Sequence, residues 1–297
     1  MATLGDLLAE NGVLVLDGAM GTMLQSAGLD DGGAPELWNV ERPDAVRSIH
    51  EAYLKAGARV VTTNTFGGTR PRLDMHGLGD RVVELNAAAA RLAREAAEPY
   101  GALVAGDLGP LGELLEPLGA LSPDDAQALF AEQVRGLVEG GIDLVLVETM
   151  SDLGEVETAV KAAQQVAAET GRDLPVVVTL SFDTKGRTMF GVTPAAAVTT
   201  LAALGVTGVG GNCGRGPEEM EAVAEAMAAV RPEGLLLVAQ SNAGLPVLVG
   251  DRFEYTAGPE VMADHALRLR ALGIDLVGAC CGSTPDHVRA MSEALRA

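Results

Sequence analysis

The 297-residue sequence predicts an α/β fold, a single (β/α)8 TIM barrel spanning residues 1–297, from three observations. Short apolar runs rich in β-branched residues recur eight times, helical patterns alternate with them, and the 37 glycines suit a fold with many tight turns. Strands that alternate with helices pair in parallel through right-handed crossovers, and eight such units close into a barrel. An open, doubly wound sheet is the alternative for the same alternation.

The predicted strands are near-continuous apolar runs, as expected for strands that are buried on both faces. Two examples are LVLV, which precedes Glu148, and PVVVTL, which precedes Ser181. The eight strands are predicted at Val13–Leu16, Val60–Thr63, Leu103–Asp107, Leu144–Thr149, Val176–Ser181, Val206–Gly211, Leu235–Ser241 and Ile274–Ala279.

The predicted helices combine apolar residues at spacings of three and four with recognisable starts. Val46, Ile49 and Tyr53 share one face of the first, and Thr193-Pro194, Gly216-Pro217 and Thr284-Pro285 each resemble a cap followed by a first-turn proline. The helices are predicted at 42–56, 81–98, 123–139, 152–169, 193–204, 216–230, 259–272 and 284–296. The longest connections, about residues 17–41, 64–80 and 108–122, all follow strands, at the end of a barrel where sites form.

Composition excludes several classes of protein. Lys and Arg number 21 against 41 Asp and Glu, a net charge of −20, so the chain lacks the basic face that a nucleic acid or an anionic membrane requires. No apolar segment is long enough to span a membrane. The N-terminal MATLGDLLAENG has no basic region before its apolar stretch and is not typical of a signal peptide. We therefore expect a soluble, cytoplasmic protein.

All three cysteines fall at the predicted carboxyl ends of strands. Cys213 follows the sixth strand, and Cys280 and Cys281 follow the eighth. An odd number of cysteines argues against a disulfide framework. Strands two apart in a sheet place their ends roughly 10 Å apart, and inward-pointing thiolates there fit a catalytic zinc that keeps one open position. Burial as small apolar side chains is the alternative.

Two carboxylates lie at predicted strand ends: Asp17 follows the first strand, and Glu148 lies at the end of the fourth. A turn or cap role for Asp17 and a salt bridge for Glu148 are the structural alternatives. A charged Glu148 at the end of LVLV is costly to bury without a cation, and a substrate ammonium group would supply one. Glycines around Asp17, including Gly18, allow backbone N–H groups to approach a carboxylate. These features favour a zwitterionic amino acid beside a thiolate-bound metal.

Asn242 follows the seventh strand, between the two cysteine-bearing strands. It is predicted to hydrogen-bond the site or to occupy the open metal position when substrate is absent, and a turn residue is the alternative. The four histidines, His50, His76, His265 and His287, lie in predicted helices or a loop and are expected to have ordinary packing or surface roles.

Several segments, in order and over nearly the whole chain, resemble the homocysteine S-methyltransferase family. They are LDGAMGTMLQ, PELWNVERPDAVRSIHEAYLKAGARVVTTNTF, ETM after the fourth strand, GGNCG and GACCGSTPDHVRAM. The resemblance implies a (β/α)8 barrel that binds zinc through three cysteines and methylates the thiol of homocysteine to give methionine. The resemblance places the family's zinc ligands at Cys213, Cys280 and Cys281 of this sequence. It places the family's amino-acid-binding carboxylates at Asp17 and Glu148. We also place Gly18, Asn64 and Asn242 in the substrate site.

PEL-x-N, the RP that opens the next helix, and CCG-[ST]-TP are most similar to the homocysteine-binding domain of cobalamin-dependent methionine synthase. Two departures are TTNTF, where an acidic residue is expected before TNTF, and GACCG in place of the more usual GGCCG. Neither departure touches a predicted ligand.

The sequence ends after the predicted last helix, so no folate- or corrinoid-binding segment is expected in it. We therefore predict that methylcobalamin, or another methyl-corrinoid, reaches the barrel on a separate protein or an appended part. Betaine or S-methylmethionine is the alternative donor. An onium donor favours an aromatic cage, and of nine aromatic residues only Phe66, Phe182 and Trp38 lie near predicted strand ends or their loops.

Two further functions are compatible with the same motifs. One is methylation of a related thiol or selenol, such as selenocysteine. The other is a non-catalytic barrel whose zinc is structural and which acts as a binding subunit. A structural zinc needs a fourth protein ligand, and the sequence offers neither a fourth cysteine nor a histidine at a predicted strand end.

Overall fold

Eight parallel strands form a barrel in the computed structural model, which describes residues 3–29, 32–249 and 252–297. The strands, numbered in chain order with the two strands of a separate hairpin, are β1 Leu14–Val15, β2 Val60–Thr62, β3 Leu103–Leu108, β4 Leu144–Met150, β5 Val176–Leu180, β6 Gly208–Cys213, β7 Leu236–Ser241, β8 Pro246–Val249, β9 Arg252–Tyr255 and β10 Leu276–Ala279. All eight predicted strands are present, and the predicted barrel is confirmed.

The sheet has the order β1-β10-β7-β6-β5-β4-β3-β2, with every pair parallel. Its two ends meet because Leu16 bridges Val60. The Asp17 N–H donates to the Val60 carbonyl at 3.1 Å, and the Arg59 N–H donates to the Val15 carbonyl at 2.7 Å. These bonds join β1 to β2 and close the barrel.

Twelve α-helices are present among the described residues. They are α1 Leu4–Asn11, α2 Met20–Ser26, α3 Trp38–Glu41, α4 Pro43–Ala56, α5 Arg70–Asp74, α6 Val82–Ala97, α7 Pro123–Gly140, α8 Leu153–Thr170, α9 Pro194–Ala202, α10 Pro217–Ala228, α11 Pro259–Ala271 and α12 Pro285–Arg296. The eight predicted helices are confirmed as α4 and α6–α12. In this part of the chain, no helix has the combination of length and apolarity that a membrane span requires.

The predicted sixth strand is wrong at both ends, since Val206–Gly211 was expected and the strand runs over Gly208–Cys213. Its parallel pairing with β7 continues to Asn212 opposite Gln240 and Cys213 opposite Ser241. The glycine-rich sequence GVGGNC has little β-branched character, so the strand end is set by pairing with its neighbour. Cys213 is therefore the last residue of a strand and not a residue of the loop after it.

The barrel interior is closed at one end by α1. Leu4 and Leu7 of this helix pack into the interior cluster with Leu14, Leu103 and Leu144. Thr3 and Asp6 form a capping box that starts the helix. Apolar side chains fill this end, so the polar ends of the strands on the opposite side are left to form the site.

The connections at that opposite end are the ones predicted to be long. Residues 17–41 hold α2 and α3, and residues 64–80 hold α5. A further element was not predicted: β8 and β9 form an antiparallel hairpin in the connection after β7. Its last strand carries Tyr255 toward Gly282, where a Cβ would overlap the tyrosine ring.

Candidate functional site

The three cysteines converge at the carboxyl ends of β6 and β10. The Sγ atoms of Cys213 and Cys280 lie 2.9 Å apart, and the Sγ atoms of all three cysteines lie within 4.8 Å of one another. Zinc–sulfur bonds of about 2.3 Å in a tetrahedral site place sulfurs about 3.8 Å apart. The donor set therefore fits one thiophilic metal ion without large movement.

Local backbone geometry turns the thiols toward each other. Cys213 has φ +57°, and Gly214 and Gly282 have φ +72° and +78°, a region that non-glycine residues adopt rarely. The Cys280 N–H donates to the Ser241 carbonyl at 2.8 Å, so β10 and β7 fix the position of the cysteine pair. A non-glycine residue held in this region at a strand end is typical of functional sites.

Without a metal, the thiols titrate as one group. Hydrogen bonds from Cys213 and Cys280 stabilise the Cys281 thiolate and lower its pKa to about 3. The hydrogen bonds of Cys280 to Cys213 and Cys281, with burial, raise the pKa of Cys280 well above its usual range. The negative charge of one thiolate thus raises the pKa of the other two thiols, and a cation bound between the sulfurs would offset that repulsion.

Asp17 is almost completely buried and is held by one residue of β2. Its Oδ2 accepts from the Thr62 N–H at 2.7 Å, and its Oδ1 accepts from the Thr62 hydroxyl at 2.9 Å. Burial raises the pKa of Asp17 to about 7, although both hydrogen bonds from Thr62 oppose that shift. The structure thus places the Asp17 carboxylate firmly at the site, with one donor on each oxygen.

Glu148, near the end of β4, has no such donors. In the part of the chain that the structure describes, no side chain forms a hydrogen bond or salt bridge with its carboxylate. Burial, together with the charges of Asp17 and Cys281, raises the pKa of Glu148 to about 8. The salt bridge considered as the structural alternative is thus not formed with any described residue, and the carboxylate is free to accept a cation.

A cavity of about 700 Å³ connects these groups. Seven residues predicted for the site line it, namely Asp17, Gly18, Asn64, Glu148, Cys213, Cys280 and Cys281. The wall also includes Phe66, which is 37% exposed. The volume is sufficient for an amino acid with room for a second reactant above it.

Asn64 and Gly18 have structural contacts at the cavity wall. The Asn64 amide donates to the Pro35 carbonyl at 2.8 Å and to Asn39 Oδ1 at 3.1 Å, which holds the long first connection against the second. A Cβ at Gly18 would lie 2.6 Å from Ser283 Oγ and 2.9 Å from Tyr53 Cε1. Only glycine fits there without displacing these neighbours. Direct substrate contact by either residue stays a prediction.

Asn242, which follows β7, is not among the residues that line the cavity. Its amide donates to the Gly214 carbonyl at 2.7 Å, which stabilises the turn that follows Cys213. Its Oδ1 is buried without a protein partner. Asn242 therefore supports the turn that follows Cys213. Its contact with the metal or the substrate stays a prediction.

Several residues at the cavity were not assigned by sequence reasoning. Thr62 binds Asp17, Glu36 accepts from the Gly67 N–H at 2.7 Å, and Arg72, His76 and Asp107 also line the wall. The sequence pattern does indicate the position of Asp107, because it continues the every-second-residue series of Leu103 and Ala105 along β3. These two residues face the barrel interior, so Asp107 is expected to face it as well. Thr62 ends the short strand β2, and Glu36, Arg72 and His76 lie in connections without periodicity, so none of them has a comparable signal.

The aromatic residues are placed differently from one another. Of the three predicted near strand ends, Phe66 lines the cavity and Phe182 is buried in the large core cluster. The ring of Trp38 packs against Arg42, whose Cζ lies 4.7 Å from the ring centroid.

The histidines include His50 and His265, which are fully buried in helices, and His287, which caps α12.

The chain is similar to known proteins over nearly its whole length. The family described as homocysteine S-methyltransferase matches residues 14–295. Methionine synthases from Mycobacterium tuberculosis and Mycobacterium leprae are each 36% identical to the chain, over 98% and 95% of its length. The chain spans only about a quarter of the length of these relatives, 25% and 24%.

Solved structures give a similar result. The homocysteine methyltransferase MmuM from Escherichia coli in its oxidised form has a TM-score of 0.81 and 26% identity, covering 99% of both chains. Its metallated form has a TM-score of 0.79 at 26% identity, covering 97% of this chain and 98% of that one.

Proposed function

Because the chain belongs to the homocysteine S-methyltransferase family, we propose that it transfers a methyl group to the thiol of homocysteine to form methionine. The observation that carries this proposal is the meeting of three thiols and two carboxylates in one cavity. The thiols provide a soft metal site, and the carboxylates provide an ammonium site beside it. An amino acid with a thiol on its side chain matches both.

Cys213, Cys280 and Cys281 would hold a zinc ion. Soft thiolate ligands favour zinc among the abundant divalent metals. When bound, zinc supplies a Lewis acid that keeps a coordinated thiol deprotonated and nucleophilic at neutral pH. Among the described residues, the metal-binding group contains these three residues and no fourth. Three protein ligands are typical of catalytic zinc and four of structural zinc, which favours an enzyme over the binding-subunit alternative.

The residues of the chain would orient the amino acid. Glu148 offers a carboxylate without a protein partner to the ammonium group, and Asp17 adds negative charge from a fixed position beside Thr62. A charge-assisted hydrogen bond of this kind contributes about 1.5–3 kcal/mol. With its ammonium group held by these carboxylates, the amino acid would direct its thiol toward the cysteines that line the same cavity.

A methyl-corrinoid on a separate protein, or on an appended part, is the donor that we favour. Apolar side chains are exposed on the connections that follow the strands, among them Met75 of the cavity wall, Leu118, Met189 and Leu248. Exposed apolar side chains at this end of the barrel suit a macromolecular carrier better than a small, strongly hydrated donor. Phe66 is an aromatic of the cavity wall, and one ring is a poor cage for an onium group.

The donor assay uses zinc-loaded protein with homocysteine and, in separate reactions, methylcobalamin, betaine and S-methylmethionine. Methionine is expected with methylcobalamin and not with the two onium donors. Efficient methionine formation from either onium donor without corrinoid would reject the corrinoid proposal and retain the homocysteine one. Methyl transfer to selenocysteine in preference to homocysteine, or no transfer with any donor at saturating concentration, would reject homocysteine methylation itself.

A further inference from the structure

Asp107 places a further carboxylate in the cavity, on β3, which lies between β1, the strand before Asp17, and β4, the strand of Glu148. The residue is only 4% exposed, and its Oδ1 is buried without any hydrogen-bond partner. A buried carboxylate oxygen without a donor is costly unless a ligand satisfies it. The mechanism proposed above does not use this residue.

The backbone of Asp107 is held rigidly, so its side chain is presented from a fixed point. Its N–H donates to the Thr63 hydroxyl at 3.0 Å. Its carbonyl accepts from the Thr65 hydroxyl at 2.8 Å and from Gln133 Nε2 at 3.2 Å. These contacts involve backbone atoms only and leave the carboxylate available.

Strand register brings Asp107 and Glu148 to the same part of the barrel. Asp107 lies opposite Leu146 in the parallel β3–β4 pair, and Glu148 is two residues beyond Leu146. Alternate residues of a strand share a face, and Leu146 belongs to the interior cluster. Both carboxylates line the same cavity, and after burial the charge of Glu148 is the largest cause that raises the pKa of Asp107.

Positive charge from the protein does not compensate this pair. Among the described residues, no lysine or arginine forms a salt bridge with Asp107 or Glu148. Arg72 and His76 also line the cavity, but their charges interact with Glu36 and oppose the rise in the pKa of Glu36. Both oxygens of Asp17 already accept from Thr62. Among the described residues, Asp107 and Glu148 are therefore the carboxylates of the cavity that accept no hydrogen bond, and the neutral Gln240 Oε1 is a further buried acceptor without a partner.

We propose that Asp107 is a second carboxylate, alongside Glu148, that binds the ammonium group of the amino-acid substrate. The inference rests on the proposed function, because it places the amino acid of that reaction. Two acceptors from adjacent strands fix the direction of the ammonium as well as its charge. They would thus select an amino acid over a thiol that lacks an amino group.

The test compares homocysteine with 4-mercaptobutanoate, which has the same thiol and carboxylate but no amino group. Dissociation constants are measured by calorimetry on zinc-loaded wild type, Asp107→Asn, Glu148→Gln and the double variant. Asp107→Asn is expected to weaken homocysteine binding about ten- to a hundred-fold and to leave 4-mercaptobutanoate binding unchanged or stronger. The double variant is expected to bind both ligands with similar affinity.

Glu36→Gln is the matched control, because Glu36 also lines the cavity but its Oε1 already accepts from the Gly67 N–H. It should keep the wild-type preference for homocysteine. A wild-type preference in Asp107→Asn, or an equal loss of both ligands with zinc retained, would overturn the proposal. Asp107→Ser provides a second variant if Asp107→Asn does not fold. Methionine formation by wild type in the donor assay separates failure of this inference from failure of the proposed function.

Discussion

Replacing Cys281 by alanine is expected to remove bound zinc and to abolish methyl transfer. The thiol is one of three whose Sγ atoms lie within 4.8 Å of one another, so its loss leaves two protein ligands. Loss of an outer partner of a metal ligand already lowers metal affinity about 10- to 100-fold, and loss of a ligand itself should exceed that. Zinc per chain is measured after dialysis against a chelator, and methionine formation is measured on the same samples.

The barrel of Cys281→Ala should remain folded, because the apolar interior lies at the other end of the strands. Thr199→Ala is the control, since Thr199 is an exposed residue of α9 whose hydroxyl donates to the Ala195 carbonyl at 3.0 Å. That variant should retain zinc and activity. Near-wild-type zinc content in Cys281→Ala would contradict the assignment of the metal site.

Glu148→Gln is expected to weaken homocysteine binding and to leave zinc in place. No described residue donates a hydrogen bond to the Glu148 carboxylate, and the substitution replaces its charged interaction with the substrate ammonium by a weaker, neutral one. The expected loss is about ten- to a hundred-fold in affinity, the equivalent of 1.5–3 kcal/mol. Calorimetry on zinc-loaded protein gives the dissociation constant, and metal analysis gives the zinc content. An unchanged dissociation constant would assign Glu148 a structural role.

The pH dependence of binding gives a second measure of Glu148. Its pKa is raised to about 8 in the empty cavity, so the charged form that binds an ammonium is depleted as pH falls below that value. Below pH 8 the Glu148 carboxyl group is mostly protonated in the free protein and must release its proton when the ammonium group binds. The affinity of the wild type for homocysteine should therefore decrease from pH 8 to pH 6. Glu148→Gln should show a smaller decrease over the same range.

The barrel was predictable because its signals are local. Runs such as LVLV in β4 and PVVVTL at β5 are long enough to identify buried strands, and proline after a cap residue marks the start of α9 and α12. Helix α1 has only eight residues, and the β8–β9 hairpin lies in a long connection. Both depend on packing against the rest of the molecule, which local patterns do not report.

The site was predictable in its residue types and less so in its geometry. Strand spacing alone placed the cysteine-bearing ends roughly 10 Å apart, whereas the Cys213 and Cys280 sulfurs lie 2.9 Å apart. Strand spacing describes backbones, and the left-handed conformation of Cys213 directs its side chain toward the other two. Asp107 was not predicted as a site residue, because an acidic residue at a strand end resembles a turn residue. Its even spacing from Leu103 along β3 is what places both side chains on the same face of the strand.

The most direct test of the account is zinc K-edge X-ray absorption on the zinc-loaded protein, without and with homocysteine. The average number of sulfur atoms bound to zinc should be three in the free protein, from Cys213, Cys280 and Cys281, and should rise to four when homocysteine binds. Serine in place of homocysteine should leave it at three. A sulfur number that does not change with homocysteine would contradict activation of the substrate thiol at this site.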